Sequence, residues 1–154
     1  MNTLEVSLFG SKCAITGYGR LGKTLAPMLK NMGAGVTVAA RRDTDIAWAA
    51  AYGFDCLKIC FLKNGVSSLT KLSQGYDVIF NTVPSWIFDR SILKNFSKNT
   101  LIIDLASAPG GVDPSAAKEF GVKVITALSI PGKYAPISAG NVIGECIIEV
   151  LEKL

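Results

Sequence analysis

Three observations predict an α/β fold built on a doubly wound parallel sheet. An apolar run, Cys13-Ala14-Ile15-Thr16, leads into Gly17-Tyr18-Gly19-Arg20-Leu21-Gly22, and a helical apolar pattern follows at once. That is the strand, glycine-rich turn and helix of a dinucleotide-binding βαβ unit. Beyond it, short apolar runs alternate with helical stretches, as parallel strands and their crossover helices do. The 154 residues are 49% hydrophobic and 18% charged, a balance that suits one domain whose sheet is buried on both faces. Six strands follow, in the expected order 3-2-1-4-5-6, a Rossmann-type arrangement.

Taken in order, Met1–Ser11 reads as a lead-in, with Gly10-Ser11 turning into the first strand. The first helix is expected over Leu21–Met32, where Leu21, Leu25, Met28, Leu29 and Met32 recur at helical spacing. Pro27 inside it is expected to kink the helix or shift its first turn, and Gly33 to stop it. Gly35–Ala40 is the second strand; Asp43 or Thr44 caps a short helix running to Tyr52, which Gly53 closes. Cys56–Ile59 makes the third strand, and Asn64–Gln74 a weaker helix ended by Gly75. Tyr76–Asn81 is a buried strand, Ser85–Phe96 is mostly helical, and Leu101–Ala106 is another strand. Pro114–Phe120 makes a short helix ended by Gly121, and Val122–Thr126 the last strand. A loop rich in proline and glycine, Ser129–Pro136, precedes a helix expected over Ile137–Lys153.

Composition removes several function classes. The chain has no histidine, which excludes a Ser-His-Asp or Cys-His hydrolase and any histidine-dependent hydroxyacid dehydrogenase contained within it. Cys13, Cys56, Cys60 and Cys146 form no CxxC pair, so buried free thiols are expected and a metal site is not. The net charge of +4 comes from scattered Lys and Arg with no block that would suit a nucleic acid. A few of these cations are available to phosphates or to a carboxylate substrate. No apolar stretch is long enough to span a membrane and no signal pattern opens the chain, so a soluble, cytoplasmic protein is expected.

In such a sheet ligands gather outside the carboxyl ends of the strands, where strand order reverses. At the first end, Gly17 permits the tight turn, Gly19 admits a pyrophosphate to the backbone, and Gly22 lets helix and strand touch. Arg20 either reaches a phosphate or stays in solvent. At the second end Arg41 lies 19 residues beyond Gly22, near the offset of about 20 at which NAD enzymes place an acid on the ribose. Arg41 and Arg42 replace that acid and match a 2′-phosphate, which favours NADP over NAD. The competing reading has Asp43 bond the ribose while the arginines stack on adenine.

At the fourth end, Thr82-Val83-Pro84 suits a stiff loop over the nicotinamide ribose, although Pro84 equally suits the first turn of a helix. At the fifth, Asp104 either orients the nicotinamide or a partner residue, or accepts loop N–H groups. Ala106 and Ser107 follow it, and Gly110-Gly111 lets the main chain pass close to a ligand. Asp104 and Lys133 are the candidate catalytic residues. Lys133, in the Pro131–Pro136 loop, suits a carboxylate or the nicotinamide carboxamide, or lies on a plain surface loop.

The motifs GYGRLG, AARR, NTVP, DLASAPGGVD and IPGKYAP-x-x-AG, over roughly residues 9–150, closely resemble the cofactor half of the dipicolinate synthase A-subunit family. In more distant outline the chain is similar to the nucleotide domains of 2-hydroxyacid dehydrogenases. The first resemblance implies a sporulation enzyme of the mother-cell cytoplasm that works with a flavoprotein-like B subunit of the same synthase. It would oxidise a dihydro- or tetrahydrodipicolinate precursor to pyridine-2,6-dicarboxylate and pass hydride to NADP or NAD. It further implies that Gly17, Gly19, Arg20 and Leu21 hold the diphosphate and Arg41 and Arg42 the 2′-phosphate. Thr82, Val83, Pro84, Asp104, Ala106 and Ser107 would lie along the nicotinamide, and a homo-oligomer is possible. The family carries a further N-terminal domain that residues 1–154 do not supply, so the expectation is a cofactor domain that binds nucleotide without turnover. A non-catalytic nucleotide-responsive module, and the nucleotide domain of a related amino-acid or hydroxy-acid dehydrogenase, are the alternatives.

Overall fold

A computed structural model describes residues 7–60 and 67–127, together with Ile137. Within them six strands form one all-parallel sheet: β1 (Lys12–Thr16), β2 (Gly35–Ala40), β3 (Asp55–Lys58), β4 (Val78–Asn81), β5 (Leu101–Asp104) and β6 (Lys123–Thr126). Their order is β3-β2-β1-β4-β5-β6, as the sequence predicts. Helices α1 (Arg20–Asn31), α2 (Asp43–Ala51), α3 (Arg90–Leu93) and α4 (Pro114–Phe120), with a 3-10 segment at Ser68–Ser73, make the connections. The chain winds outward from β1 to β3, then crosses back to β4. The reversal therefore falls between the carboxyl ends of β1 and β4, where a ligand crevice forms.

Alternation along the strands divides the core between the two faces of the sheet. Cys13, Ile15, Val36, Val38 and Val78 pack with Ala26 and Leu29 of α1 and Ala49 of α2. Ala14, Ile79 and Ile102 pack with Leu72, Phe88, Leu93, Phe96 and Ala116. Within that second cluster Phe88 and Phe96 meet edge to face at 5.8 Å, a geometry worth about 1 kcal/mol beyond the area it buries.

Several expectations change. The buried line of α1 is Gly22, Ala26 and Leu29, while Leu21, Met28 and Met32 are 46%, 55% and 53% exposed. Close approach to β1 selects small side chains, so counting large apolar residues picks the wrong face. Pro27 lies inside α1 as one continuous element that starts directly after Gly19, on its exposed side. Asp43 is not a cap: Arg42 holds the N-cap position of α2, with no capping side chain, and Asp43 pairs with Lys58 instead. Between Asn64 and Gln74, the described part is the 3-10 segment, opened by Ser67 Oγ accepting from Leu69 N.

The largest difference lies in Ser85–Phe96, where the α-helix is confined to Arg90–Leu93. Phe88 is extended because its N–H donates to the Gly111 carbonyl, and its own carbonyl accepts from Asp113 N. Pro84 therefore opens no helix; Asp89 caps α3 by accepting from Ile92 N. The Ser129–Pro136 loop with Lys133, the helix expected beyond Ile137, and Cys146 lie outside the described residues.

Among the described residues no helix is long and apolar enough to cross a membrane, and no group of three His, Cys, Asp or Glu side chains is placed to hold a metal ion. The three described cysteines are free, but only Cys13 is buried; Cys56 and Cys60 are exposed. Burial pushes the Cys13 thiol up from its ordinary value of 9.0. A raised thiol pKa gives stability that is complete while the unfolded thiol is protonated, and that is lost as pH climbs through the folded value. The melting temperature is expected to fall above pH 9, and thermal melts of Cys13→Ala should show a shallower alkaline decline.

Candidate functional site

The turn after β1 sets the site. Gly17 leaves the strand at φ +91°, and its N–H donates to the Ala39 carbonyl at 2.8 Å. A Cβ here would stand 2.5 Å from Thr82 Oγ1 and 3.0 Å from Val83 Cγ2. The β1 turn and the loop after β4 are thus in contact, with room for a hydrogen and nothing larger. The Thr82 backbone N–H and hydroxyl both donate to the Thr16 carbonyl, at 3.0 and 2.8 Å, which fixes that contact. A Cβ on Gly22 would overlap the Gly17 carbonyl oxygen.

Gly19 is different: among the described residues nothing stands within 4 Å of where its Cβ would be. It is the N-cap residue of α1, no side chain caps the helix, and the first turn carries no acidic residue. Among the described residues the first-turn N–H groups of α1 thus have no capping side chain and the positive end of the helix dipole no first-turn acid, a combination suited to a diphosphate. Arg20 and Leu21 are exposed beside it.

A cleft of about 450 Å³ opens next to this turn, lined among others by Gly17, Tyr18, Arg41, Arg42, Asp45 and Val83. Tyr18 is 4% exposed and walls it; burial raises the pKa of its hydroxyl, with Tyr52 adding to the effect. The cations at the ends of β2 and β3 are not equivalent. Arg42 Nε and Nη2 donate to Asp45 Oδ2 and Oδ1 at 2.8 and 2.9 Å. Lys58 pairs with Asp43. Among the described residues Arg41 has no ion-pair partner, and it is exposed. Sequence reasoning missed Asp45, although its i, i+3 spacing from Arg42 was the available signal.

A buried polar ladder runs across the strand ends behind the cleft. Thr16 Oγ1 donates to Asn81 Oδ1 at 2.6 Å, and Asn81 Nδ2 donates to Asp104 Oδ1 at 2.8 Å. Asp104 Oδ1 also accepts from Ala106 N at 3.2 Å, and Oδ2 accepts from Gly111 N at 2.8 Å. Thr16 and Asn81 are fully buried and Asp104 is 3% exposed. Of the roles open to Asp104, this one is visible: it binds the loop 105–111 to β4. Gly111 answers to the same ladder, since a Cβ there would overlap Asn81 Nδ2 and lie 2.6 Å from the Val83 carbonyl oxygen. The main chain at Gly111 passes close to protein atoms. Asn81 further donates to the Val83 carbonyl at 3.1 Å and accepts from Val83 N at 3.2 Å, so the ladder sets the position of a cleft residue.

The fold thus brings Gly17, Tyr18, Arg41, Arg42 and Val83 into one cleft, with Gly19, Arg20, Leu21 and Gly22 adjoining. Thr82 and Pro84 flank Val83. Ala106 is 2% exposed and belongs with the ladder, whereas Ser107 is exposed.

No protein-family model matches the chain. It is 33% identical over 150 residues to the A subunit of dipicolinate synthase from Bacillus subtilis (strain 168), covering 97% of this chain and 48% of that protein. The crystal structure of the dipicolinate synthase A chain from Bacillus subtilis superposes with a TM-score of 0.87 at 31% identity, over 98% of this chain and 48% of that one. That of the corresponding dipicolinate synthase polypeptide from Bacillus halodurans gives 0.86 at 29% identity, over 97% and 49%. The chain spans about half the length of these relatives. Solved dehydrogenases at 20% and 17% identity share the fold.

Proposed function

Over about half of its length, the A subunit of dipicolinate synthase is a relative of this chain, and from that premise we propose that the chain is the cofactor-binding domain of an oxidoreductase of that kind. The proposed reaction takes a cyclic dihydro- or tetrahydrodipicolinate precursor to pyridine-2,6-dicarboxylate in the mother-cell cytoplasm of a sporulating bacterium. NADP is the preferred cofactor and NAD the second choice. A nicotinamide, when bound, supplies a two-electron acceptor. For the dihydro form, one ring C–H bond gives up its electron pair as hydride and one proton leaves to solvent, which makes the ring aromatic. A tetrahydro form needs two such oxidations.

One observation carries the cofactor reading: a helix N-terminus that no described side chain caps, behind the open face of Gly19, beside a cleft lined by Arg41, which has no ion-pair partner among the described residues. The diphosphate would take the first-turn N–H groups of α1 and Arg20. Arg41 would be the main contact to a 2′-phosphate, because Asp45 already engages two of the Arg42 donors. Thr82, Val83, Pro84, Ala106 and Ser107 are proposed to lie along the nicotinamide, with Asp104 holding their loops in register. Lys133 is the proposed contact to a substrate carboxylate. Aromatisation supplies driving force, so the protein mainly orients hydride donor and acceptor. The dipicolinate synthase B subunit is the proposed partner, and self-association is proposed beside it.

The test joins this chain to the complementary half of the Bacillus subtilis relative and supplies the cyclic precursor with NADP. Ultraviolet absorption should report pyridine-2,6-dicarboxylate appearing together with NADPH. Nucleotide binding without product in that chimaera would leave a non-catalytic nucleotide module as the better reading.

A further inference from the structure

We propose that Asp45 is a positioning residue for cofactor choice, holding the Arg42 guanidinium at the rim of the nucleotide cleft with its unengaged N–H edge available to a 2′-phosphate. The inference rests on the cofactor reading above and deepens it. Arg42 is the N-cap residue of α2, and Asp45 is the third residue of that helix. The helix backbone therefore fixes both ends of the pair, and the Arg42 carbonyl accepts from Asp45 N at 3.1 Å.

The contact is bidentate, through Nε and Nη2 at 2.8 and 2.9 Å. It uses two of the five guanidinium hydrogens and leaves both on Nη1 and one on Nη2. Burial within the pair is uneven. The Asp45 side chain is 10% exposed and that of Arg42 is 67% exposed, so the acid is the anchor and the base is the arm that reaches into solvent. Both residues line the same cleft as Gly17 and Arg41.

An unrestrained arginine gives up rotamer freedom when it grips a phosphate, whereas one held in place beforehand gives up little. The opposing effect is repulsion between the Asp45 carboxylate and a phosphate dianion. The carboxylate occupies one edge of the guanidinium, and the phosphate would take another. The neighbouring Arg41, without an ion-pair partner among the described residues, keeps the rim cationic. Bracing wins, and its signature is a loss confined to the nucleotide that carries a 2′-phosphate. Asp43 makes a useful contrast, because its partner is Lys58 and its side chain is 93% exposed.

The experiment titrates the chain and its Asp45→Asn, Asp45→Glu, Arg42→Ala and Asp45→Asn/Arg42→Ala variants with NADPH and NADH, followed by nucleotide fluorescence. Asp45→Asn is expected to weaken NADPH about fivefold and NADH less than about twofold, with no further NADPH loss when Arg42 is already Ala. Asp45→Glu should recover part of the loss. Thermal melts confirm that each variant is folded. Equal losses for the two nucleotides, tighter NADPH binding by Asp45→Asn, or a loss that adds in full to that of Arg42→Ala overturns the inference while the cofactor reading stands. Equal affinity of the unaltered chain for NADPH and NADH removes the cofactor reading and this inference with it.

Discussion

Replacing Gly22 by Ala is expected to destabilise the chain and to remove measurable nucleotide binding together. The added Cβ would overlap the Gly17 carbonyl oxygen and come within 3.6 Å of Ile15 Cγ2. Both neighbours are fixed: Gly17 is backbone held to Ala39, and Ile15 is fully buried in the central strand. Relief requires α1 to move off β1, which also uncovers Ala26 and Leu29. Overpacking of this kind costs about 1–3 kcal/mol, or about 2–4 °C of melting temperature per kcal/mol for a chain near this size. Binding falls further than stability does, because the moved element is the one whose first turn would meet the diphosphate. A thermal melt paired with a nucleotide titration checks both parts. Gly19→Ala is the control, since a Cβ there meets nothing within 4 Å among the described residues. It should melt within a few degrees of the unaltered chain yet bind nucleotide several-fold more weakly, because the added methyl occupies the space proposed for the diphosphate.

Asp104→Ala is expected to be the most destabilising single change behind the cleft. It removes the acceptor for Asn81 Nδ2, Ala106 N and Gly111 N at once. Each buried donor left without a partner costs about 1–3 kcal/mol, and the three act as one unit, so the total falls below their sum. A loss of about 3–4 kcal/mol is the expectation, read from a denaturant titration. Asp104→Asn keeps the shape but turns one acceptor into a donor, facing Asn81 Nδ2 or Gly111 N, so it should recover only part of the loss. The effect on nucleotide binding should be smaller than the effect on stability. Asp104 is 3% exposed and acts on the cleft through Asn81 and Val83.

Much of the fold is legible in local sequence. Strand order, the glycine turn and the helix Pro114–Phe120 follow from short-range pattern, and α4 matches its expected span. Asp113 caps it and Gly121 ends it at φ +68°, both of which are local signals. Ser85–Phe96 is not legible in the same way. Its apolar spacing suits a helix, but Phe88 is held extended by Gly111 and Asp113, more than twenty positions away in sequence. Periodicity carries no information about such a partner. The same holds for Asp104, whose polar character in an apolar strand signals a site while its partners come from β4 and from its own distal loop.

At the nucleotide cleft the residue types were readable and their inequality was not. The pair Arg41-Arg42 reads as two equivalent phosphate contacts. Folding places Asp45 against one of them and leaves the other without a partner among the described residues. That division depends on where α2 begins, and α2 begins one residue earlier than a cap at Asp43 would have it and two earlier than a cap at Thr44 would.

The most direct measurement of the central claim is an equilibrium titration of the chain and of Arg41→Ala with NADP and NAD. The unaltered chain is expected to bind NADP about tenfold or more tightly than NAD, a difference of about 1.4 kcal/mol, and Arg41→Ala to narrow that gap by weakening NADP alone, leaving the part contributed by Arg42. Equal affinity for the two nucleotides in the unaltered chain, or failure to bind either, would contradict that claim.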